Sequence, residues 1–289
     1  MIKSWIEAMR LRTLPVSMAG VIAGCGCAVL LDSFKVIPAL LCLTFAVLAQ
    51  IAANFANEYF DFKNGIDKKG REGFRRGVTE GEISPKAMKR ATFITLAMAA
   101  AVGCTMLFYG PWWLIPAGIV IMLFALAYSA GPYPLSHHGL GDLAVILFFG
   151  VVPVTLTCYL QTSSWDGLVY ILTTSVAVGL LAANVLVVNN YRDMEDDAAV
   201  NKRTTVVIFG RRVMSQAYLF SGVAAMLIMY PVWSSFPLWA LGIPAVYVVM
   251  HIMTWNKLRI SKGSELNPLL GKTAMNLLLL TLMFLLLTF

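Results

Sequence analysis

From Gly167 to Tyr191 the chain carries no charged residue, and runs of this kind recur along its whole length. About 20 apolar residues suffice to cross a bilayer as a helix. In lipid every backbone polar group must find its partner inside the segment, so such runs fold as helices. Thr13–Leu31, Val36–Asn57, Leu143–Trp165 and Gly167–Tyr191 each read as one span. Ala91–Gly141 is too long for one and breaks at Gly110-Pro111-Trp112-Trp113, giving two. Val213–Asn256 breaks near Pro231 to Pro237, giving two more, and Leu266–Phe289, interrupted by Lys272, is the last. Composition agrees: 59% of residues are hydrophobic and 13% charged, against about 25% charged in soluble domains. The expectation is an all-α integral membrane bundle of nine transmembrane helices, forming one polytopic domain over 1–289. Lys3, Arg10 and Arg12 ahead of an apolar run imitate a signal peptide, but with so many spans downstream an uncleaved first helix is expected.

Nine spans put the N-terminus and the loops after the second, fourth, sixth and eighth helices on one side. Every Lys and Arg except Lys35 falls there, as does every acid except Asp32 and Asp166. The positive-inside rule makes that side cytoplasmic, with the C-terminus opposite, and points to a multi-pass protein of the cell (inner) membrane. The net charge of +7 is then a topology signal aided by anionic lipid; it implies the lipid bilayer as partner and no nucleic acid. The five cysteines all lie in apolar runs with no Cys-x-x-Cys, as small packing residues do.

Two acidic clusters stand at the mouths of these helices on the same face. Asn189-Asn190-Tyr191-Arg192-Asp193-Met194-Glu195-Asp196-Asp197 closes the sixth span, and Asn57-Glu58-Tyr59-Phe60-Asp61 through Asp67 closes the second. On a helix Asn189, Asp193 and Asp197 share a face. Like carboxylates at that spacing repel by roughly 0.2–0.5 kcal/mol per pair, so a cation is expected between them. Glu195 and Asp196 point off that face and read as solvated. Gln50, Asn54, Asn57/Glu58 and Asp61 form a polar stripe that deepens into the second span. Intramembrane polar groups usually face the bundle interior, here as a ligand cavity would require.

The loop 62–90 mixes Lys63, Lys68, Lys69, Arg71, Arg75 and Arg76 with Asp67, Glu72, Glu80 and Glu82, and its glycines, among them Gly70 and Gly73, permit close backbone approach to a ligand. It reads either as a solvated connector or as a metal–diphosphate lid. Ser84-Pro85 starts the third span. Of Arg10 and Arg12 one anchors at the interface, and Arg12, at the helix mouth, is the candidate to face an anionic ligand. Tyr128 and Ser129 hang at the inner end of the fourth span, stopped by Gly131-Pro132; Tyr128 is equally a membrane-belt tyrosine. His137 and His138 read as solvated, with a pH-active role open to one of them. Asp142 is expected to cap the next helix. The last three spans are lipid-facing in composition, and Asn256–Lys272 is a basic loop.

Mg²⁺ takes oxygen ligands, typically one or two carboxylates together with substrate phosphates. Two Asp-rich helix ends beside an apolar interior therefore suit a prenyl diphosphate ionised between two ions and attacked by an electron-rich acceptor. The same residues resemble the signature motifs of the UbiA-type intramembrane aromatic prenyltransferases: Asn57-x-x-x-Asp61-x5-Asp67 and Asp193-x-x-x-Asp197. Arg12-Thr-Leu-Pro15, Arg75-Arg76-Gly77-Val78-Thr79, Tyr128-Ser-Ala-Gly-Pro-Tyr-Pro-Leu135 and Glu265-Leu-Asn-Pro268 are similar to its menaquinone branch. The likeness spans essentially the full chain. It implies a nine-helix fold and Mg²⁺-dependent transfer from a polyprenyl diphosphate to 1,4-dihydroxy-2-naphthoate, with loss of the carboxylate as CO₂, giving demethylmenaquinone.

By that resemblance Asn57, Asp61 and Asp67 would hold one Mg²⁺ and Asp193 and Asp197 the other, with Asn189 or Asn190 assisting. Arg75, Arg76, Lys202 and Arg203 would be diphosphate partners, ahead of Arg192, while Arg12 is the candidate for the acceptor's carboxylate. Asp61, Asp193 and Tyr128 would be catalytic, Tyr128 by stabilising the allylic cation with its ring. Two departures stand out. Asn201 occupies a position where the branch usually has Gly. The base in the Tyr-Pro-x-x-Lys/Arg of 4-hydroxybenzoate enzymes is missing after Tyr128, which argues against that acceptor. The alternatives are a family member acting on another aromatic acceptor such as 4-hydroxybenzoate, and a cation-coupled transporter, whose sites lie nearer the midplane. A CDP-alcohol phosphotransferase is disfavoured because Asp-Gly-x-x-Ala-Arg is absent.

Overall fold

The computed structural model describes residues 2–69 and 73–289; Gly70, Arg71 and Glu72 of the first loop lie outside the described residues. A short α1 (Ile2–Met9) and a 3-10 turn (Leu11–Thr13) lead into α2 (Leu14–Leu30), followed by α3 (Val36–Lys63). Then come α4 (Pro85–Thr105), α5 (Leu114–Ala127), and α6 (Gly141–Val145), which passes through a π-helical segment (Ile146–Val151) into α7 (Val152–Thr162). The second half comprises α8 (Leu168–Arg192), α9 (Met194–Ala199), α10 (Thr205–Ile228), α11 (Tyr230–Trp233), α12 (Gly242–Ile260) and α13 (Leu266–Thr288). Among the described residues there is no sheet, only one isolated parallel bridge between His138 and Arg203.

Seven segments among the described residues are long and apolar enough to cross a bilayer: Ile2–Leu30, Val36–Lys63, Pro85–Phe108, Gly141–Thr162, Leu168–Arg192, Leu238–Ile260 and Gly263–Thr288. Of the other two expected spans, Leu114–Ala127 is apolar but only 14 residues long. The other, Thr205–Ile228, opens with Arg211 and Arg212 near its start and bends at Gly210, whose φ is 79°.

The start signal at Ser84-Pro85 acts as read. Ser84 caps α4 by accepting from Ala87 N, with Pro85 in the first turn, and Thr204 caps α10 on Val207 N. Asp142 does not cap: Leu140 holds that position, and Asp142 instead accepts a hydrogen bond of 2.6 Å from Thr205 Oγ1. It keeps the favourable place in the first turn, where the N-terminal partial charge attracts an acid. The basic loop is shorter than expected, because α12 continues to Ile260 and α13 begins at Leu266.

The core centres on α8, which buries residues along nearly its whole length against α2, α10 and α13. The reading of the last three spans as lipid-facing is corrected for α13. Its Leu266, Leu270, Leu277 and Phe284 are fully buried, a stripe that composition alone cannot distinguish from lipid contact because both surroundings are apolar. His251 of α12 is also inside, stacked on Tyr218 at 4.6 Å and Tyr247 at 5.9 Å, with Nε2 2.9 Å from the Tyr218 carbonyl.

Close helix approach is bought by glycine at one crossing. A Cβ on Gly150 would lie 2.3 Å from Gly179 Cα, and one on Gly179 would lie 2.7 Å from the Ile146 carbonyl oxygen. The π-helical segment brings Gly150 to this contact and ends at Val151, just before Pro153 in the first turn of α7, where a missing N–H is tolerated. Gly179→Leu is therefore expected to lower stability by about 1–3 kcal/mol or more through overpacking. Gly271→Ala in α13, where a Cβ meets nothing within 4 Å, should raise it by roughly 0.5–1 kcal/mol. Thermal unfolding in one detergent checks the opposite signs.

Candidate active site

The first acidic motif is built by the last turns of α3 and the chain that folds back beneath them. Ile66 and Asp67 return their N–H groups to the Asp61 carbonyl at 2.9 and 3.3 Å, so Asp67 lies under Asp61 although it is outside the helix. Asn57 donates to Asp61 Oδ2 and to Ser129 Oγ, both at 3.0 Å. Its own Oδ1 accepts from Arg10 Nη2. Asp61 is 1% exposed, and His137 Nε2 stands 3.8 Å from its Oδ1. Asp67 is buried against Arg76 Nε at 3.3 Å. Glu58 turns to the other side and accepts from Val78 N at 3.0 Å, pinning the loop. Gln50 reaches Asn54, and Asn54 donates to the Met9 carbonyl at 2.9 Å.

The second motif is not one continuous helix. It ends α8 at Arg192, breaks at Asp193 (φ −91°, ψ 8°), and resumes as α9. The shared face nevertheless survives, because Asp193 N bonds the Asn189 carbonyl and Asp197 N the Asp193 carbonyl. Asp193 and Asp197 are buried. Arg192 forks onto both carboxylate oxygens of Asp193 at 2.6 and 2.9 Å, and reaches Asn189 Oδ1 at 2.9 Å and Asn267 Oδ1 at 2.8 Å. Lys202 Nζ lies 3.4 Å from Asp197 Oδ1. Glu195 is at the surface, held by Arg211 at 2.5 and 2.6 Å; the Arg211 hydrogen bonds keep its carboxyl below the usual range.

One cavity of about 300 Å³ joins the two motifs, within the range of small-ligand sites. Asn57, Asp61, Asn189, Asn190 and Asp193 line its polar end, together with Arg10, Arg76, Lys202 and Tyr128. Asp67 and Asp197 sit behind Arg76 and Lys202 rather than on the wall. The loops meet here too, since Arg203 N donates to the His137 carbonyl at 3.0 Å. Beyond the polar end the wall is apolar, continuing along α3 to Cys42 and along α5 to Leu114.

Three expected anion partners are elsewhere. Arg12 is exposed, its guanidinium 5.1 Å from the Phe74 ring centroid, while Arg10 takes the inward place. The cause is a left-handed Arg10 (φ 52°) between α1 and the turn that follows, which swings the two side chains apart. Arg75 faces solvent and pairs with Glu82. Glu82 also accepts from Ser4 at 2.7 Å, and that bond, aided by Arg75, holds its carboxyl down. Arg203 is exposed and contributes its backbone only. Residues undervalued in the sequence are Arg10, Arg192, His137, Ser129 and Asn267. Ser129 and Asn267 lay inside motifs already singled out; the His137 position depends on a loop contact that spacing does not encode.

The donor set fits Mg²⁺: carboxylate and amide oxygens at the buried end of a cavity, with Asp61 Oδ1 making no hydrogen bond among the described residues. Among the described residues no three His, Cys, Asp or Glu side chains are already gathered as a cage. That is consistent with an ion that takes part of its shell from substrate phosphates. Asn201 has φ 57°, the left-handed conformation that glycine adopts freely, and Asn is the side chain that best tolerates it. The departure at Asn201 therefore leaves the turn intact. Asn201→Gly should be nearly neutral, whereas Asn201→Ala should cost about 1–2 kcal/mol, measured by thermal unfolding.

Comparison with known proteins follows this geometry. A sequence model described as the UbiA prenyltransferase family matches residues 17–287. The chain is 33% identical over 294 residues to the 1,4-dihydroxy-2-naphthoate octaprenyltransferase of Escherichia coli K12, covering 98% of this chain and 94% of the relative. It is 31% identical over 310 residues to the enzyme of the same name from Haemophilus influenzae, with the same coverage of 98% and 94%. A UbiA homolog from Archaeoglobus fulgidus bound to GPP and Mg²⁺ superposes with a TM-score of 0.71 at 14% identity, over 98% of this chain and 99% of that one; at that identity the likeness is one of fold.

Proposed function

Since the chain belongs to the UbiA prenyltransferase family, we infer that the cavity is where a polyprenyl group leaves its diphosphate for 1,4-dihydroxy-2-naphthoate. The carboxylate departs as CO₂ and the product is demethylmenaquinone, in menaquinone biosynthesis. The observation that carries this reading is the convergence of both acidic helix ends on one cavity whose remainder is apolar.

The chain's own groups divide the work. Arg76 and Lys202, both on the cavity wall, offer the diphosphate their charge, and Arg10 takes the anion-facing place expected of Arg12. Arg10 and Ser129 fix the Asn57 amide between them, which orients it beside Asp61. Mg²⁺ would be held by Asn57, Asp61 and Asp67 on one side and Asp193 and Asp197 on the other, with Asn189 or Asn190 assisting, and when bound neutralises charge on the departing diphosphate. The Tyr128 ring borders the same space; a desolvated cation over an aromatic face is stabilised by about 2 kcal/mol or more. The apolar wall excludes water from the allylic cation and holds the tail. In the same reading the chain is one domain crossing the inner membrane nine times, with the N-terminus and the active site on the cytoplasmic side. The placement of the basic residues and the acidic motifs on one side supports it.

Purified protein with Mg²⁺ is expected to convert a polyprenyl diphosphate and dihydroxynaphthoate to the prenylated quinol with release of CO₂. Turnover of 4-hydroxybenzoate in preference would move the assignment to another branch; solute uptake into liposomes without any turnover would favour a transporter. Asp61→Ala and Asp193→Ala should each lower kcat/KM by at least about a thousandfold, on the scale of lost electrostatic stabilisation. Glu195→Ala, at an exposed pair worth about 0–1 kcal/mol, should stay within a few fold. Arg10→Ala should be much more damaging than Arg12→Ala; the reverse order would refute the inward assignment of Arg10.

A further inference from the structure

The cavity is as long as the membrane is thick. Its wall follows one face of α3 from Asp61 back to Cys42, and at 1.5 Å per residue that is about 28 Å. On α5 the lining residues Leu114, Gly118, Ile121 and Tyr128 recur at three- to four-residue and seven-residue spacing, so they share a face. Gly118 lies ten residues from Tyr128, about 15 Å along the axis. An isoprene unit adds four chain bonds of about 1.5 Å in zigzag, roughly 5 Å when extended. Measured from the polar end, the third unit of a prenyl donor therefore passes Gly118, and the fifth or sixth reaches Cys42.

Gly118 is unlike the other glycines on this wall. A Cβ on Gly103 would already touch the Phe45 ring at 3.4 Å, and one on Gly141 would lie 3.4 Å from Tyr128 Oη. One on Gly118 meets nothing within 4 Å, and the neighbours that share its face point it into the cavity. A side chain there would project into open groove, with no backbone clash to displace α5.

We propose that Gly118 is the length-determining position of this groove: its missing side chain lets donors of more than three isoprene units thread past α5. This rests on the prenyl-transfer reading. Short donors end before Gly118 and are indifferent to it, whereas longer ones must pass it.

The test compares kcat/KM for ten-, fifteen-, twenty- and forty-carbon diphosphates in the full-length protein with Gly118→Ala, Gly118→Leu, Gly118→Phe and Ile119→Phe. Ile119 is on the same helix but faces outward, 48% exposed, and does not line the groove. The ratio of ten- to forty-carbon kcat/KM should rise with side-chain size at Gly118, by at least about tenfold for Phe, the scale on which a hydrophobic pocket discriminates. It should not move for Ile119→Phe. A second readout needs no turnover. In equilibrium binding a non-hydrolysable forty-carbon donor should bind Gly118→Phe at least about tenfold more weakly than the parent protein, while a ten-carbon analogue binds both alike. Turnover by the parent protein with a flat ratio across the Gly118 series, or equal binding of the forty-carbon analogue by the parent and Gly118→Phe, overturns the gate alone. Absence of turnover of every donor by the parent protein overturns the prenyl-transfer reading and the gate with it.

Discussion

Asp61, Asp67, Asp193 and Asp197 are buried at the inner end of this bundle, and burying a charge without compensation costs several kcal/mol. The local structure follows from meeting that cost. Asp67 is matched by Arg76, Asp193 by Arg192, Asp197 by Lys202, and Asp61 has His137 nearby and the Asn57 amide bonded to it. Each partner comes from a different stretch of chain: the first loop, the end of α8, the turn after α9, and the loop after α5. Charge compensation therefore also ties the loops into one layer under the bundle. The same arrangement suits a ligand that is itself both anionic and accompanied by cations. A metal–diphosphate meets carboxylates with its metal and basic side chains with its phosphate oxygens, so exchange of partners replaces one compensated state by another.

Phe74 shows how tightly the layer is closed. Its ring has the Arg12 guanidinium at 5.1 Å and that of Arg192 at 5.2 Å. Gly73 lies directly against Arg192, where a Cβ would be 2.8 Å from a guanidinium nitrogen. The loop after α3 thus touches Arg192, the cation that grips Asp193 within the second acidic motif.

Periodicity made the helices, the breaks at Gly110–Trp113 and before α4, and the two acidic faces legible from residues alone, because each depends on local spacing or on a capping side chain. Three features were not. The choice between Arg10 and Arg12 turns on one left-handed residue, and a non-glycine φ of 52° leaves no mark in the sequence. Arg192 reads as the least of the diphosphate partners but is buried on Asp193, a place that depends on Asn267 brought in from α13. Arg75 and Arg76 are adjacent and chemically alike; only the fold decides that one meets Glu82 in solvent and the other Asp67 inside. Asn201 is the converse case, where a departure from an expected glycine was visible but its harmlessness was not, since Asn supplies the same backbone conformation by a different route.

The two motifs are fixed by different physics. The helix α8 is buried along most of its length, and at depth its Asn184 bonds α10 through the Tyr218 carbonyl and Ser221, while its neighbours are bound to one another, α10 to α13 by Tyr218 and Thr273 and α13 to α12 by Asn276 and Thr254. In an apolar medium such bonds and close packing, rather than hydrophobic burial, hold helices together. The second motif is therefore placed by the core itself. The helix α3 is mostly half-buried along its span, where it packs chiefly against α4. Its acidic end is placed instead by bonds to the polar layer, Glu58 to Val78, Asn54 to Met9 and Asn57 to Arg10 and Ser129. One wall of the cavity is thus set by packing and the other by hydrogen bonds at its rim, which leaves the membrane-facing stretch of α3 and α5 free to be lined for the tail of the ligand rather than for the stability of the bundle.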